Sequence, residues 1–397
     1  MINLSISEIF KLAVKYHKNK SFKKAQDFYR KTLEINPQHL DAYNNLGIVL
    51  KELGNIEESI NCFNKVIEID SQNVFGYYNL GLAYKEVLDH KKAILCFSHV
   101  VKINPNHYSA FNNLGIVFKE IGELKKAQKC YQRVLIMKPD HLNAHYNLGN
   151  ILFDLRKFKE AKDIYQKALI LKPNDMYLSH MIAALSGKNT NTAPKEYIEN
   201  VFDNFADRFD SYLTENLKYK VPENLLELLK RNCSIVSKFK NVIDIGCGTG
   251  LSGFSFKAIS ENLIGVDVSY KMIIKAKKKK IYDEIFHDDA TNFLQNTSRK
   301  FDLFISTDVF IYVGKLDQIF SIISLRCNPN AKFCFSVESC NDRKFKLLKS
   351  ARYAHSKTYI ESLAKRYNFN IQAFKKTTIR FELKKSLVGY LFLLTKS

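Results

Sequence analysis

A buried acid followed by three alternating glycines is the feature of this sequence best suited to binding a ligand. Residues 242–250 read VIDIGCGTG, so apolar residues surround Asp244, and Gly246, Gly248 and Gly250 follow. Such an apolar run is typical of a buried parallel strand, and the glycines let the chain turn tightly into a helix. A ligand can then contact bare backbone at the carboxyl end of the strand. Asp244 needs a cationic or hydrogen-bonding partner, because a charge in a buried strand is unusual.

A dinucleotide-binding turn is one alternative, because residues 248–253 spell G-x-G-x-x-G. That register would place Gly246 inside the preceding strand, where glycine weakens pairing. In the register that starts at Gly246, the third required glycine would be Leu251. A second strand ends at Asp267, but an acid there suits the ribose diol of either cofactor. A tight strand–helix turn that binds no ligand is the remaining alternative.

Asp244 together with the G-x-G-x-G run resembles the glycine motif of class I S-adenosylmethionine-dependent methyltransferases. The resemblance implies S-adenosylmethionine as cofactor, with its amino-acid end as the partner of Asp244, directly or through water. Asp289 and Ala290 resemble the acid-plus-small pair that contacts the adenine edge. The cofactor-binding residues implied in this way are Asp244, Gly246, Cys247, Gly248, Gly250, Asp267, Val268, Met272, Asp289 and Ala290.

Strands and helices alternate from residue 241 onward, which predicts a mostly parallel sheet with helices on both faces. The fold expected for this part is an α/β, Rossmann-like class I methyltransferase domain with a seven-stranded, mostly parallel sheet. The resemblance implies that the last strand runs antiparallel. The strands are expected near residues 241–246, 262–268, 283–287, 301–306, 331–338, 370–376 and 386–395.

A phenylalanine-rich segment precedes this core, and in it Phe202, Phe205 and Phe209 share one helical face. Residues 202–210 resemble the FDxxAxxFD leading helix of small-molecule-type methyltransferases, which folds over the cofactor. Taken alone, the phenylalanines also fit an amphipathic helix packed on the core.

A 34-residue period organises the first part of the chain, and this is the length of a tetratricopeptide repeat. Leu-Gly pairs begin at Leu46, Leu80, Leu114 and Leu148, small residues recur at Ala25, Ser59, Ala93, Ala127 and Ala161, and aromatic residues recur at Tyr29, Phe63, Phe97, Tyr131 and Tyr165. Small residues let two helices approach, and the rings fill the gap between them. The pattern predicts an α solenoid of about five helix pairs over residues 6–175.

Repeated amides and lysines indicate a binding surface, because such arrays stack with their first helices along a concave groove. The residues are Asn45, Asn79, Asn113 and Asn147, with Lys51, Lys85 and Lys119. The asparagines resemble the ladder that binds peptide backbones in the tetratricopeptide superhelix of O-linked N-acetylglucosamine transferases. This resemblance implies a protein or peptide partner, and the lysines favour an acidic one. The alternative is that duplication copied these residues without a ligand.

Four further segments extend the resemblance over essentially the whole chain, to bacterial predicted TPR-repeat methyltransferases. They are residues 308–312, 335–338, 352–356 and 380–382. Ala351 and Asn330 depart from that family, which has glycine at the first position and PGG at the second. The expected domains are a repeat array over 1–187 that ends in a closing helix, a linker over 188–200, and a methyltransferase domain over 201–397, with leading helices over 201–240 and the core over 241–397.

Residues after the fourth and fifth strands are the candidates for catalysis, because the fourth strand of this family ends beside the transferable methyl group. Methyl transfer from a sulfonium is an in-line displacement that depends on alignment, and most oxygen or nitrogen acceptors must also lose a proton. Asp308, Glu338 and His355 are the candidate bases, with Tyr312 as an orienting residue. His355 titrates nearest to neutral pH, but it also suits a substrate carboxylate or a helix cap.

Two functions remain open. One is an active methyltransferase whose repeats recruit a protein partner and whose acceptor is a small molecule or a protein. The other is a repeat scaffold whose methyltransferase domain binds cofactor without catalysis. A nucleic-acid methyltransferase is not favoured, because no Asn/Asp-Pro-Pro-Tyr motif follows the fourth strand and the formal charge of +21 comes from lysines spread along the chain.

The eight cysteines do not form a disulfide pattern, since Cys62, Cys96 and Cys130 recur at one repeat position. Free thiols in a reducing cytoplasm explain this best. No C-x-x-C or His/Cys cluster indicates a metal. The N-terminus does not resemble a signal peptide, and the apolar stretch 387–394 is too short to span a bilayer. We therefore expect a cytoplasmic protein without a metal site or a membrane span.

Overall fold

The computed structural model describes residues 4–203, 205–342, 344–382 and 385–397. The chain divides into two compact units, Met1–Lys172 and Pro173–Ser397. Each unit has hydrophobic clusters of its own, which include Tyr29 and Phe97 in the first unit and Leu225 and Phe333 in the second.

Ten helices make up the described part of the first unit. They are α1 (Ile6–Lys18), α2 (Phe22–Ile35), α3 (Leu40–Glu52), α4 (Ile56–Ile69), α5 (Val74–Glu86), α6 (His90–Ile103), α7 (Tyr108–Glu120), α8 (Leu124–Met137), α9 (Leu142–Asp154) and α10 (Phe158–Leu171). Consecutive helices pack as pairs, from α1 with α2 to α9 with α10, and α3 also contacts both α1 and α5. The predicted solenoid of about five helix pairs is confirmed.

Steric contact between the two helices of a pair explains the recurring glycines. A Cβ added at the glycine would lie 2.4–2.7 Å from the aromatic ring of the same repeat, and the pairs are Gly47 with Phe63, Gly81 with Phe97, Gly115 with Tyr131 and Gly149 with Tyr165. All four rings are wholly buried. The glycine and the ring therefore form one packing unit, and this is why they recur in phase along the sequence.

The second unit contains nine α-helices and nine strands in its described residues. The helices are α11 (Met176–Ser186), α12 (Lys195–Asp203), α13 (Phe209–Ser211), α14 (Val221–Asn232), α15 (Leu251–Phe256), α16 (Tyr270–Lys279), α17 (Ala290–Asn296), α18 (Asp317–Arg326) and α19 (Lys357–Arg366). The strands are β1 (Phe239–Ile245), β2 (Ser260–Asp267), β3 (Glu284–His287), β4 (Phe301–Ser306), β5 (Cys327–Ser339), β6 (Phe345–Leu347), β7 (Tyr353–His355), β8 (Phe369–Glu382) and β9 (Lys385–Lys396).

One sheet contains all the strands. β3, β2, β1, β4 and β5 follow one another with parallel neighbours. On the other edge of β5, β9 pairs antiparallel and β8 pairs antiparallel with β9. These seven strands correspond to the predicted ones, and the antiparallel direction of the last strand is confirmed.

The predicted count of seven strands is wrong, because the described residues form nine. The two additional strands, β6 and β7, form an antiparallel pair. β7 continues the sheet past the end of β4, since Glu338 and Ser339 of β5 pair with Ala354 and His355. Strands of three residues are too short for an alternating pattern to reveal them.

The helix α11, expected to close the repeat array, lies in the second unit. His180 Nε2 is 3.0 Å from the carbonyl oxygen of Ala351, and the ring centroids of Tyr177 and Tyr197 are 5.6 Å apart. The boundary between the compact units therefore precedes the domain boundary expected after residue 187, which stays a prediction.

The two departures from the family pattern fall on left-handed backbone. Ala351 has a φ of 60° and Asn330 a φ of 63°. Glycine adopts this conformation without steric cost, and asparagine tolerates it better than other residues do. The glycines that the family has at these positions therefore match the backbone that this chain adopts.

Candidate cofactor and acceptor sites

The glycine turn after β1 is held by backbone bonds to β2 and by contact with the segment after β4. The amides of Gly246 and Cys247 donate to the carbonyl of Val266, at 2.8 and 3.1 Å. A Cβ at Gly246 would lie 2.2 Å from Cγ2 of Val309. Positive φ values of 68°, 52° and 95° occur at Gly246, Gly248 and Gly250. The turn therefore requires glycine for its conformation and, at the first position, for space.

Asp244 is wholly buried beside this turn and is held by two hydroxyl groups. Its Oδ2 accepts hydrogen bonds from Ser252 Oγ at 2.5 Å and from Tyr282 OH at 2.6 Å. Its Oδ1 is buried and has no hydrogen-bond partner among the described residues. Burial raises the pKa of Asp244 to about 7, and the nearby carboxylate of Asp267 contributes to this while the two hydroxyls oppose it. A cationic ligand group would satisfy the carboxylate oxygen that lacks a donor.

Asp267 closes the same site from the end of β2. Its Oδ2 accepts from the amide of Gly248 and its Oδ1 from the amide of Ser269, both at 2.8 Å. Burial raises the pKa of Asp267, and these two amides act in the opposite direction. Because each carboxylate oxygen can accept a second hydrogen bond, Asp267 keeps capacity for the hydroxyls of a ribose.

Asp289 and Ala290 begin α17 at the end of β3. Asp289 Oδ1 accepts from the amides of Thr291 at 2.9 Å and Asn292 at 3.2 Å, so this carboxylate caps the helix. Ala290 is partly buried and packs against the hydrophobic cluster on that face of the sheet. Contact of either residue with adenine stays a prediction.

Three other predicted cofactor residues lie around the glycine turn and α16. Met272 is wholly buried, and Cys247 is nearly so. Burial raises the pKa of the Cys247 thiol, so the thiol stays protonated at neutral pH. The carbonyl oxygen of Val268 is 2.8 Å from His287 Nε2. Side chains of Cys247 and Met272 therefore serve packing, and their contact with a cofactor stays a prediction.

The leading segment, in its described residues 195–203 and 205–216, lies against α16 and the glycine turn. Ser269 Oγ donates to Asp203 at 2.5 Å, and Asp207 forms an ion pair with Lys275 at 3.0 Å. Farther along, Asp210 forms an ion pair with Lys279 and accepts a hydrogen bond from Thr249. The segment therefore covers the region that the acids and glycines form, as the resemblance implies.

A buried charged cluster lies at the carboxyl ends of β4 and β5. Arg380 of β8 contacts Asp308 Oδ2 at 2.6 Å, Glu338 Oε2 at 2.8 Å and Glu382 Oε1 at 3.1 Å. Arg352 is ion-paired with Glu382 and lies 3.7 Å from Glu338 Oε2. Burial raises the pKa of Glu338, and the two arginines oppose that rise. Three carboxylates thus share two guanidinium groups.

Asp308 reaches this cluster from an unusual backbone conformation, with a φ of 56°. Its amide donates to Ser336 Oγ at 2.8 Å, and that hydroxyl donates to Asp308 Oδ1 at 3.0 Å. Left-handed backbone is uncommon outside glycine, and it often marks functional sites where surrounding contacts hold it. Here Ser336 and Arg380 supply those contacts.

Tyr312 lies between this cluster and the leading segment. Its ring centroid is 5.3 Å from that of Phe202 and 6.4 Å from that of Tyr197. Burial raises the pKa of Tyr312, although Arg352 and Arg380 oppose this. The hydroxyl is therefore protonated at neutral pH and able to donate a hydrogen bond.

His355 does not share in the ion pairs of the cluster. It is wholly buried on β7, with Nε2 3.0 Å from the carbonyl oxygen of Gly314 and its ring stacked on Tyr359. Burial lowers the pKa of His355 to about 4. A neutral imidazole that donates to a backbone carbonyl fixes the loop after β4, so the arrangement favours a structural role, although the following helix is capped by Ser356 and not by His355.

The repeat asparagines and lysines form bonds between neighbouring repeats. Asn79 Nδ2 donates to Asn44 Oδ1 at 2.9 Å, and Asn113 Nδ2 donates to Tyr78 OH at 3.2 Å. Lys85 Nζ donates to Asn113 Oδ1 at 3.0 Å. Asn113 is buried, whereas the side chains of Asn45, Asn79 and Asn147 are partly exposed. Of the lysines, Lys51 lies 3.8 Å from Glu86, and Lys119 is exposed.

Three residues of the two sites were not predicted from the sequence as site residues. They are Ser252, Tyr282 and Arg380. The sequence did contain a signal for Tyr282, because glycines at 250, 253 and 265 leave space that its ring fills. Arg380 lies in one of the segments that carry the resemblance, but no local pattern reveals its contacts with Asp308 and Glu338, which come from distant parts of the sequence.

Comparisons with known protein families match one group of models to the helical repeats and another model to the part that contains the sheet. Models described as tetratricopeptide or TPR repeats match residues 9–39, 28–61, 49–87, 76–107, 108–141 and 142–175. A model described as a methyltransferase domain matches residues 242–330, which contain the glycine turn and Asp308. The chain carries tetratricopeptide repeats and a methyltransferase domain. A comparison with curated proteins gave no match.

Solved structures of repeat proteins resemble part of the chain. MamA is 24% identical, with 40% of this chain and 94% of that chain covered and a TM-score of 0.39. YrrB, described as a TPR protein with an unusual peptide-binding site, is 23% identical over 44% of this chain and 91% of that one, with a TM-score of 0.40. PilF of Pseudomonas aeruginosa is 19% identical over 45% and 82%, with a TM-score of 0.41.

In the described residues, no helix combines the length and the apolar character that a membrane span requires. In the same residues, no group of three or more His, Cys, Asp or Glu side chains is placed to hold a metal ion. All eight cysteines are free thiols.

Proposed function

We propose that the methyltransferase domain binds S-adenosylmethionine and transfers its methyl group to an acceptor held near Asp308, Tyr312 and Glu338. The observation that supports this most is a pair of acids at the ends of adjacent strands, the wholly buried Asp244 and the partly buried Asp267. Among the described residues, Asp244 accepts only from two hydroxyls and Asp267 from two backbone amides, and one oxygen of Asp244 has no donor. A ligand with an ammonium group and a ribose diol supplies what both acids lack.

The donor set of the chain fits this ligand. When bound, S-adenosylmethionine supplies a methyl group on a positively charged sulfur. Asp267 would accept from the ribose hydroxyls, Asp244 from the ammonium group, and the glycine turn would allow close approach to backbone. The leading segment would exclude water, because Asp203, Asp207 and Asp210 hold it against α16 and the glycine turn.

Glu338 is the proposed proton acceptor for an acceptor substrate that must lose a proton. It is nearly buried, and burial raises its pKa while Arg380 and Arg352 oppose the rise, so the carboxylate is a stronger base than an exposed glutamate. Tyr312 would orient the acceptor through its hydroxyl, and Arg380 would stabilise Asp308 and Glu338 as a pair. His355 would hold the Gly314 loop in place of acting as the base.

Calorimetry with S-adenosylhomocysteine tests the cofactor. Saturable binding is expected for the full chain, together with no binding of NAD. Asp267→Ala should weaken binding strongly, by about 10- to 100-fold, because the ribose loses a charged acceptor. Asp302→Ala is the matched control, since Asp302 lies at the opposite end of the sheet, where it accepts from the amide of Asn241. Saturable NAD binding without any response to S-adenosylhomocysteine would rule the proposal out.

A scaffold that binds cofactor without catalysis is the second candidate. It is favoured by one observation, that Asp308 and Glu338 are both held by Arg380 while His355 is buried and bonded to Gly314. Incubating the protein with cell extract and isotopically labelled cofactor separates the two candidates. Transfer of label to an acceptor, lost in Glu338→Gln, supports the enzyme, whereas binding with no transfer supports the scaffold.

The repeat unit is proposed to bind an extended acidic peptide through Lys51, Lys85 and Lys119 and the neighbouring asparagines. The support is the in-phase recurrence of these residues in the first helices, together with hydrogen bonds that link α3 to α5 and α5 to α7. A fluorescent polyglutamate peptide is a suitable probe. Its affinity should fall with added salt and fall further in Lys119→Glu than in the control Lys125→Glu on α8, because only Lys119 belongs to the row. Equal effects of the two variants would refute the proposal that the row of lysines binds the peptide.

A further inference from the structure

The side chain that sets the orientation of Asp244 comes from outside every motif in the sequence. Tyr282 lies between α16 and β3, and its hydroxyl donates to Asp244 Oδ2 at 2.6 Å. Ser252, near the start of α15, donates to the same oxygen at 2.5 Å. Two donors on one oxygen leave the other oxygen, Oδ1, buried and without a donor among the described residues.

Three glycines fix the position of the Tyr282 ring. A Cβ at Gly253 would lie 2.4 Å from the ring, one at Gly265 would lie 3.1 Å from it, and one at Gly250 would lie 3.2 Å from it. These glycines belong to α15, to β2 and to the turn before α15. The ring therefore fills a space bounded by three elements, and it cannot leave without opening a cavity. The hydroxyl is held where it meets the carboxylate.

The described residues place no positive charge within hydrogen-bond distance of Asp244 Oδ1. The groups that face the carboxylate are the hydroxyls of Ser252 and Tyr282, the thiol of Cys247 and the carboxylate of Asp267. A second carboxylate nearby makes an unpaired charge less favourable, so a cation that enters the site gains from both acids.

We propose that Tyr282 is a positioning residue for the amino-acid end of the cofactor. Together with Ser252 it holds Oδ2, so that Oδ1 is directed to accept from the ligand ammonium, directly or through one water. The role of Tyr282 is to orient Asp244, and it does not require contact with the ligand. This inference rests on the proposed function, because it assumes that S-adenosylmethionine occupies the site.

Two ligands that differ only at the amino-acid end isolate this role. S-adenosylhomocysteine carries the ammonium group, whereas 5′-methylthioadenosine has the same adenosine and sulfur without it. Calorimetry on the full chain should show that Tyr282→Phe weakens S-adenosylhomocysteine by about 10- to 100-fold, which is the effect of removing a hydrogen bond to a charged group. The affinity for 5′-methylthioadenosine should stay within about twofold of the wild type.

Two controls keep the outcomes distinct. Ser252→Ala removes the other donor to the same oxygen and should show the same selective loss, so it replaces Tyr282→Phe if that variant fails to fold. Tyr367→Phe, at the end of α19, should leave both affinities unchanged. Equal losses for both ligands in Tyr282→Phe, or no loss for either, would overturn the inference. If the wild type binds neither ligand, the proposed function fails, and this inference fails with it.

Discussion

Two groups of acids lie near the carboxyl ends of the parallel strands, and they differ in the partners that the chain provides for them. At the ends of β1 and β2, Asp244 and Asp267 accept only from hydroxyl and amide groups. At the ends of β4 and β5, Asp308 and Glu338 are both ion-paired with Arg380. Among the described residues, Asp244 lacks a counter-ion and Asp267 has only the charge of His287, which acts to lower the pKa of Asp267, whereas the second group has an arginine supplied by the chain.

The difference separates acids that need the charge of a ligand from acids that the chain itself pairs with arginine. A buried carboxylate without a counter-ion costs stability until a ligand supplies the charge, so Asp244 and Asp267 are suited to binding. A buried carboxylate with its own arginine contributes to the fold, and its removal leaves the arginine unpaired. The acceptor end of the sheet is therefore assembled before any ligand arrives, while the cofactor end is completed by the ligand.

The largest expected effect is the loss of the arginine that holds the acceptor end. Arg380→Met leaves the buried Glu338 and the partly buried Asp308 without their main partner, and it should lower the free energy of unfolding of the second unit by about 3–5 kcal/mol. Differential scanning calorimetry of the full chain measures this, with hydrogen exchange in β5 and β9 used to assign the transition.

The matched control for that variant is Arg366→Met. The side chain of Arg366 is 59% exposed and forms an ion pair with Asp317. Its loss should cost less than about 1 kcal/mol, because exposed ion pairs contribute little. If the two variants are equally stable, the charged cluster does not hold the acceptor end together.

Asp244→Asn should change the pH dependence of the free energy of unfolding. Unlike Arg380→Met, it should make the protein more stable relative to the wild type as pH rises. The pKa of Asp244 is raised from 3.8 to about 7 in the folded protein, so its contribution to stability is present at low pH and is lost as pH rises through 7. Asparagine removes this dependence. Relative to the wild type, the variant should gain about 3 kcal/mol between pH 5 and pH 8, as urea unfolding at the two pH values would show. A constant difference between variant and wild type would mean that Asp244 already has a counter-ion.

The contribution of His355 to the free energy of unfolding should depend on pH in the opposite direction to that of Asp244. Burial lowers the pKa of His355 from 6.5 to about 4, so the folded protein holds the neutral imidazole and stability falls as pH drops below 6.5. The loss from this residue between pH 7 and pH 5 should be about 2 kcal/mol. In His355→Gln the acid-side slope of stability should be shallower by that amount. An unchanged slope, or a histidine that titrates near 6.5 by NMR, would return His355 to the list of candidate bases.

Sequence reasoning was strongest where contacts are local. The repeats could be predicted because Gly149 and Tyr165 pack within one helix pair, so the chemistry recurs at a fixed period. The strands of the sheet could be predicted from apolar runs, and the glycine turn from its spacing. The short strands β6 and β7 could not, because three residues carry no periodic signal.

The partners of the acids were beyond the reach of the sequence. Tyr282 is 38 residues from Asp244, and Arg380 is 72 residues from Asp308, so only the folded sheet brings each pair together. The sequence identified Asp308, Glu338 and His355 as candidates for the base and favoured His355, which ordinarily titrates nearest to neutral pH. Burial and ion pairing separate them, and both depend on contacts made across the sheet.

The number of protons released when S-adenosylhomocysteine binds at pH 7 tests the central claim most directly. With a pKa of about 7, Asp244 is protonated in about half of the free molecules at this pH. The ligand ammonium favours the carboxylate, so binding should release roughly half a proton per site at pH 7 and much less at pH 8. Calorimetry in buffers of different ionisation enthalpy measures this number. Saturable binding without proton release at pH 7, or no binding at all, would contradict the claim that Asp244 gains its counter-ion only when the cofactor binds.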